Sequence, residues 1–284
     1  MAKKQRSIRD MLRARPGVTS PADYPSGDIC AAPGKKATTL AAIEKSSGPA
    51  IVALQEKFFA ESTAGGHQRI LLVLQGMDTS GKGSVITHVV GQLGPAGTAV
   101  AAFKRPTPEE LAHHYLWRIR RKLPVAGQVG VFDRSHYEDV LAVLVHGMID
   151  DAECARRYDE INAFEAGLVA GGMTIVKCFL NISYEEQRRR LLARLTDPSK
   201  HWKFRENDID ERNRWNDYMA AYAGVLASTS ADTAPWYVVP SDHKWYRNWA
   251  ISELLRETLA ELDPKYPETA LEVPRLIARL KPPH

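Results

Sequence analysis

The stretch Ile70–Gln75 (ILLVLQ) runs straight into Gly76-Met77-Asp78-Thr79-Ser80-Gly81-Lys82-Gly83-Ser84, after which a helical pattern begins. A continuous apolar run of strand length is typical of a strand buried on both faces of a parallel sheet. A strand, a glycine-rich loop and a helix in immediate succession are the context that a phosphate-binding loop requires. The physics is direct. Backbone N–H groups of such a loop point inward, the following helix start adds partial positive charge, and Lys82, on a solvated loop, adds a full one. Glycines let the backbone approach phosphate oxygens with no Cβ in the way. Gly76, Thr79, Ser80, Gly81, Gly83 and Ser84 are therefore candidate phosphate-binding positions. The hydroxyl that usually follows the lysine and ligates Mg²⁺ is replaced by Gly83, and Ser84 comes one residue later, about 100° further round the helix. Asp78 inside the loop is unusual, because a carboxylate beside phosphates is repelled unless a cation lies between them. It reads as a metal-associated residue, the alternative being a solvent-facing turn Asp.

Further strand candidates are Thr98–Phe103, Gln128–Phe132, Met173–Ile182 and Trp236–Val239, with helical stretches between them, the first at Ile51–Ala60. The β-α alternation predicts an α/β fold, a three-layer parallel sheet with flanking helices. Residues 1–50 read as an N-terminal extension that wraps the core or stays mobile, 51–284 as a single domain, and the last dozen residues as a tail. Thr107-Pro108-Glu109-Glu110 and Ser183-Tyr184-Glu185-Glu186 both carry the capping-box spacing. The helix after Ser183 must stop before Pro198. Its spacing places Arg190 and Arg194 on one face and Leu191, Leu192 and Leu195 on the side that anchors it.

Charge is concentrated. Residues 104–122 hold six basic and two acidic residues, and 188–205 hold seven and one; these windows carry +10 in a chain of net charge +4. Such clustering suggests a polyanionic ligand, although two solvated helix faces would also produce it. Hydrophobic residues at 44% and charged residues at 25% exclude collagen-like and wholly disordered classes. No stretch reaches the roughly 18 apolar residues of a membrane span. The basic segment MAKKQRSIRDMLRARPG has no apolar run behind it and does not read as a secretory signal. Cys30, Cys154 and Cys178 are odd in number and far apart, which points to a reducing, cytoplasmic compartment.

A second chemical signal is Val129-Gly130-Val131-Phe132-Asp133-Arg134-Ser135-His136-Tyr137-Glu138-Asp139. An apolar strand ending in Asp is where P-loop enzymes place a Mg²⁺-holding carboxylate. Arg134 beside it is a candidate phosphate ligand, and His136 reads as a packing residue. Glu138 and Asp139 face the acceptor or cap the next helix. A third signal is the Arg-rich helix and its sequel, RRRLLARLTDPSKHWKF, at about 184–205. In small-molecule P-loop kinases a mobile lid carries arginines onto the transferring phosphoryl group.

Taken in order, GMDTSGKGS, FKRPTPEELAHHYLWR, FDRSHYEDVL, RLLARLTDPSKHWKF and APWYVVPSDHKWYRNWA resemble the polyphosphate kinase 2 family from about Ile51 to Leu262. TPEELAHHYLWR and RSHYEDVL are closest to its class III. The resemblance implies a P-loop kinase fold similar to thymidylate kinase, with a helical lid. It implies phosphoryl transfer between inorganic polyphosphate and nucleoside mono- and diphosphates (ADP/ATP, GDP/GTP, AMP, GMP), with Mg²⁺ as cofactor and Mn²⁺ as a substitute. By the same resemblance Asp78 and Asp133 hold the metal, and Lys82 and Arg134 bind the phosphoryl group in flight. Arg194 is then the lid arginine, while Lys104, Arg118, Arg120 and Arg121, with Arg190, line the polyphosphate path. The expected assembly is a cytoplasmic homodimer or homotetramer with no membrane or nucleic-acid partner. Two other readings stay open: an ATP-dependent nucleoside monophosphate kinase, and a basic nucleic-acid-binding protein with Trp117, Trp202 and Phe204 as stacking residues.

Overall fold

The computed structural model describes residues 7–18 and 20–280. Its five strands are β1 (Arg69–Gln75), β2 (Thr98–Ala102), β3 (Val129–Asp133), β4 (Met173–Asn181) and β5 (Trp236–Pro240). These are the five expected strands, with ends shifted by a residue. They form one sheet in the order β2-β3-β1-β4-β5, every neighbouring pair parallel.

Side chains of the central strands alternate between two cores, because successive residues of a strand point to opposite faces. Ile70, Leu72, Leu74, Val131, Val176 and Leu180 pack in one core with Ile51, Phe58, Val85, Ile251 and Leu255. These last residues lie on helices Gly48–Ser62, Lys82–His88 and Lys244–Leu262. Leu71, Val73, Phe132, Ile175 and Phe179 face Ile161, Phe164, Tyr222 and Val225 on helices Asp151–Ala170 and Trp215–Thr229. Helices on both faces explain why β1 is apolar without alternation.

Described residues before Gly48 lie against this body. Ile8 and Leu12 are buried in the first core. The Ile8 and Arg9 N–H groups donate to the Glu257 carboxylate at 3.0 and 3.2 Å, and Ala14 N–H donates to Trp236 O at 2.8 Å. Among the described residues no helix is long and apolar enough to cross a membrane.

Several local expectations change. The Thr107 capping box forms, but its helix is a single turn, Pro108–Leu111, and the basic residues sit on a separate short helix, Leu116–Arg120. At Ser183 only half the box forms: its hydroxyl accepts from Glu186 N–H, while the Glu186 carboxylate turns to Arg189 and Arg190. On helix Tyr184–Leu195 the buried residues are Gln187, Arg190 and Leu191, whereas Leu192 and Leu195 are exposed. The leucine anchor is therefore corrected. The body presents backbone carbonyls to this helix, so its inward face is mostly polar. In the expected tail, Val273–Arg279 is helical with no buried side chain, while Pro282 and Pro283 lie outside the described residues.

Candidate active site

Ligands of open parallel sheets bind beyond the carboxyl ends of the strands, where the order reverses. Here β1 ends in the glycine-rich loop and β3, its neighbour, ends in Asp133, in register with Leu74. The loop leaves β1 at Gly76, φ +148°, where a Cβ would come within 2.8 Å of Leu180 O and Ser80 Oγ. It passes through Thr79 at φ +67° and enters helix Lys82–His88 at Gly81, φ +111°. Arg134, the residue after Asp133, also takes a left-handed φ of +63°. Strained backbone of this kind persists only where its surroundings over-determine it.

The charged groups meet above these strand ends. Arg134 Nη2 lies 3.0 Å from Asp78 Oδ1, and Arg134 Nε is 4.0 Å from Glu138 Oε1. Glu138 accepts from Gln75 Nε2 at 3.1 Å. Lys82 is not on a solvated loop, as the sequence led us to expect. It is buried, and its Nζ folds back to donate to Gly76 O at 2.7 Å and Met77 O at 3.4 Å. The Asp133 carboxylate accepts no hydrogen bond among the described residues. Thr79 Oγ1 and Ser80 Oγ are buried without a partner there.

Burial pushes each of these charges toward neutrality, and the neighbours decide the outcome. Asp78 ends below the ordinary carboxylate value, because Lys82, Arg134 and Arg194 outweigh its burial. Arg134 is raised, its burial overcome by Glu138, Asp78 and Asp133. Burial dominates for Lys82, which is lowered, and for Glu138, which is raised.

Beneath the loop lies a second layer. Arg190 uses all five of its N–H bonds on the protein: Nε to Glu186, Nη1 to Thr79 O and Ser80 O, and Nη2 to Ser241 O and Asp242 O. No donor remains for a phosphate, so its expected place on the polyphosphate path is corrected to a clamp under the loop. Gln187 Nε2 donates to Asp78 O at 3.3 Å. Arg118 is likewise buried, with Nη1 on Lys104 O at 2.9 Å and Nη2 on Asp139 Oδ2 at 3.1 Å. That pair takes both Arg118 and Asp139 away from an open phosphate or acceptor surface. The next helix, Ala142–Val145, has Leu141 at its N-cap and no side-chain cap, so neither Glu138 nor Asp139 is a cap. Lys104, Arg120 and Arg121 remain exposed, Arg120 over the Phe164 ring at 4.6 Å and Arg121 over Trp117 at 4.8 Å. Gly83 is exposed and open around its Cβ position; Ser84 N–H donates to Gly81 O at 3.0 Å. Arg194 Nη1 contacts Lys203 O at 2.9 Å and Asp208 Oδ2 at 3.4 Å within the lid region.

Some contributors escaped the sequence reading. Lys177 Nζ, fully buried in β4, donates to Glu165 Oε2 at 2.6 Å, Tyr137 OH at 2.9 Å and Thr229 O at 2.6 Å. Glu165 Oε1 also meets His136 Nε2 at 3.1 Å and Tyr137 OH at 2.8 Å. This network fixes the two residues that follow Arg134-Ser135. Its signal was a lysine inside the apolar run MTIVKCFLN. Arg247, in the motif WYRNWA, packs under Ser80.

The donor set suits a hard divalent cation. Asp78, on the loop after β1 and paired with Arg134, and Asp133, at the end of β3, supply carboxylates, and Mg²⁺ is characteristically held by one or two carboxylates together with substrate phosphates. No group of three or more His, Cys, Asp or Glu residues among the described residues forms a cage of its own.

Known proteins match this chain in sequence and in fold. The family model of polyphosphate kinase 2 matches residues 39–267. An AMP/ADP-polyphosphate phosphotransferase of Meiothermus ruber is 46% identical over 221 residues, 77% of this chain and 81% of that protein. An ADP-polyphosphate phosphotransferase of Rhodopseudomonas palustris is 43% identical over 228 residues, 76% of this chain and 78% of that protein. The crystal structure of polyphosphate kinase 2 from Arthrobacter aurescens superposes with a TM-score of 0.93 at 46% identity, covering 98% of each chain.

Proposed function

The chain belongs to the polyphosphate kinase 2 family, and on that premise we propose that it transfers the terminal phosphoryl group between inorganic polyphosphate and nucleotides. The observation that carries this reading is the glycine-rich loop at the end of β1 with Asp133 at the end of the adjacent β3, joined across the gap by the Arg134–Asp78 contact. ADP and AMP are the acceptors named for relatives, and GDP and GMP belong to the same chemical class.

The reaction breaks the terminal P–O–P link of polyphosphate and forms a new one to an oxygen of the nucleotide's last phosphate. The acceptor oxygen is already ionised near neutral pH, so no strong general base is required. What limits the rate is in-line placement and repulsion between two polyanions. The loop N–H groups and Lys82 bind the phosphoryl group, Lys82 leaving the Gly76 and Met77 carbonyls to do so. Arg134 neutralises charge on its oxygens, and Arg194 adds a planar donor pair as the lid closes. Asp78 and Asp133 would hold Mg²⁺, which when bound screens the phosphates and, in this role, is replaceable by Mn²⁺. Lys104, Arg120 and Arg121 guide the rest of the polyphosphate chain.

An acceptor range covering both mono- and diphosphates accords with the class III wording of the motifs. The three free cysteines accord with a reducing cytoplasm, and the working form is a homo-oligomer. An acceptor panel of AMP, ADP, GMP and GDP, each with polyphosphate and with ATP as donor, tests the reading. We expect phosphorylated product from polyphosphate; transfer from ATP alone would replace the reading with that of a monophosphate kinase.

A further inference from the structure

Arg247 is completely buried, yet no carboxylate lies within 4.0 Å of its guanidinium among the described residues. Nη1 donates to Ser80 O at 2.9 Å, while Nε and Nη2 reach only the amide oxygen of Asn248, at 3.2 and 2.9 Å. The Ser80 carbonyl also accepts from Arg190 Nη1 at 3.1 Å. Two guanidinium groups thus converge on one loop carbonyl, and only Arg190 has an acidic partner, Glu186. Burial and then the repulsion of Arg190 pull Arg247 down to about 9, so it keeps its charge at neutral pH. An isolated buried charge costs a protein stability.

The geometry of the loop says what that charge does. In a planar trans peptide the N–H points opposite to the preceding C=O. Holding Ser80 C=O down toward the two arginines therefore turns the Gly81 N–H up, toward the phosphate side, and that N–H has no acceptor among the described residues. At Gly81 any Cβ would run into the Arg247 guanidinium, so the backbone lies flush against it.

We infer that Arg247 is a positioning residue for the phosphate-binding loop: it pins the Ser80 carbonyl away from the substrate, and its charge gains a counter-ion only when phosphate enters the loop. The inference rests on the phosphate-loop reading above.

The test is thermal melting of the full chain with and without inorganic tripolyphosphate, together with steady-state kinetics, for the wild type, Arg247→Met and Arg247→Lys. Free Arg247→Met should melt at or above the wild-type temperature, because an unpaired buried charge is gone. Its tripolyphosphate-induced rise in Tm should fall below half that of the wild type, and KM for polyphosphate should rise at least about tenfold, the scale of one charge-assisted hydrogen bond. Arg247→Lys keeps the charge without the planar fork and should recover part of the Tm rise. A residue that only packs gives the opposite result: Arg247→Met melts lower and keeps the full tripolyphosphate shift, which overturns the inference. Equality of Arg247→Lys with the wild type in shift and KM overturns the pinning role even if Arg247→Met does not fold. No tripolyphosphate shift in the wild type overturns the phosphate-loop reading itself, and the inference with it.

Discussion

Arg134 Nη2 and Asp78 Oδ1 lie 3.0 Å apart, joining the turn after β3 to the glycine-rich loop after β1 across 56 residues of sequence. Asp78 is one of the carboxylates proposed to hold the metal, and Arg134 is the cation proposed to meet the phosphoryl group. Each neutralises the other across this contact, and on the proposed function binding of metal and phosphate exchanges that one ion pair for two. Lys82 likewise donates to the Gly76 and Met77 carbonyls.

Replacing Lys82 by Ala removes the loop's full positive charge and two contacts to carbonyls of its own loop. We predict a fall in kcat of at least about 10²–10³, the usual scale for losing one donor to the transition state. Circular dichroism should be unchanged and the protein should stay folded with a modestly lower Tm, because the Gly76 and Met77 carbonyls lose a donor. Persistent turnover in a folded Lys82→Ala protein would contradict the role given to the loop.

The reach of sequence reasoning divides along a physical line. The strands were legible because β1 and β4 are covered on both faces, and an apolar run of strand length has few other uses. The loop was legible because Gly76, Gly81 and Lys82 are adjacent in sequence. The partners of long polar side chains were not. A helical wheel puts Arg190 and Arg194 on one face but cannot say that the face looks onto Thr79 O and Ser80 O, more than 100 residues away in sequence. Arg118 looked like part of a basic stripe until Asp139, 21 residues on, proved to be its partner. Leu192 and Leu195 misled because the helix they occupy docks through hydrogen bonds rather than through an apolar seam.

The lid arginine gives a sharper kinetic test. Arg194 is held by Lys203 O and Asp208 and still influences Asp78. A contact made mainly in the transition state lowers kcat when lost and leaves ground-state binding nearly unchanged. Arg194→Ala should therefore reduce kcat by about 10²–10³ with a much smaller change in nucleotide KM. Arg194→Lys should recover only part, and exposed Arg188→Ala should be almost neutral. A dominant KM effect, or greater damage from Arg188→Ala, would remove Arg194 from the lid mechanism.

The buried Lys177–Glu165 pair contributes to acid stability. Burial works against the Glu165 charge, but Lys177 and His136 hold its carboxyl below the ordinary value. The folded protein therefore keeps Glu165 ionised where the unfolded chain has taken up a proton. This stabilisation is complete above the ordinary carboxylate range, about pH 4, and is lost as pH falls through the lowered folded value. Lys177→Met strands a buried carboxylate and should cost about 3–5 kcal/mol at neutral pH. Urea unfolding at pH 7 and across the acid range checks both; an unchanged acid profile in the variant would contradict the assignment.

Polyphosphate and nucleotide binding should differ in their response to salt. A long polyanion displaces more counter-ions than a nucleotide, as nucleic acids do, so its log-log slope should be steeper. Lys104, Arg120 and Arg121 are exposed, and neutralising each singly should make the polyphosphate slope shallower. Equal slopes for the two ligands would argue against a basic path for the chain.

The most direct test is the donor itself. The purified protein is incubated with ADP, Mg²⁺ and inorganic polyphosphate, with ATP measured by luciferase and chain length by gel electrophoresis. The account predicts ATP formation with loss of one phosphate unit from polyphosphate per ATP, abolished in Lys82→Ala. Failure to form any nucleotide product from polyphosphate, while AMP is phosphorylated from ATP, would contradict it.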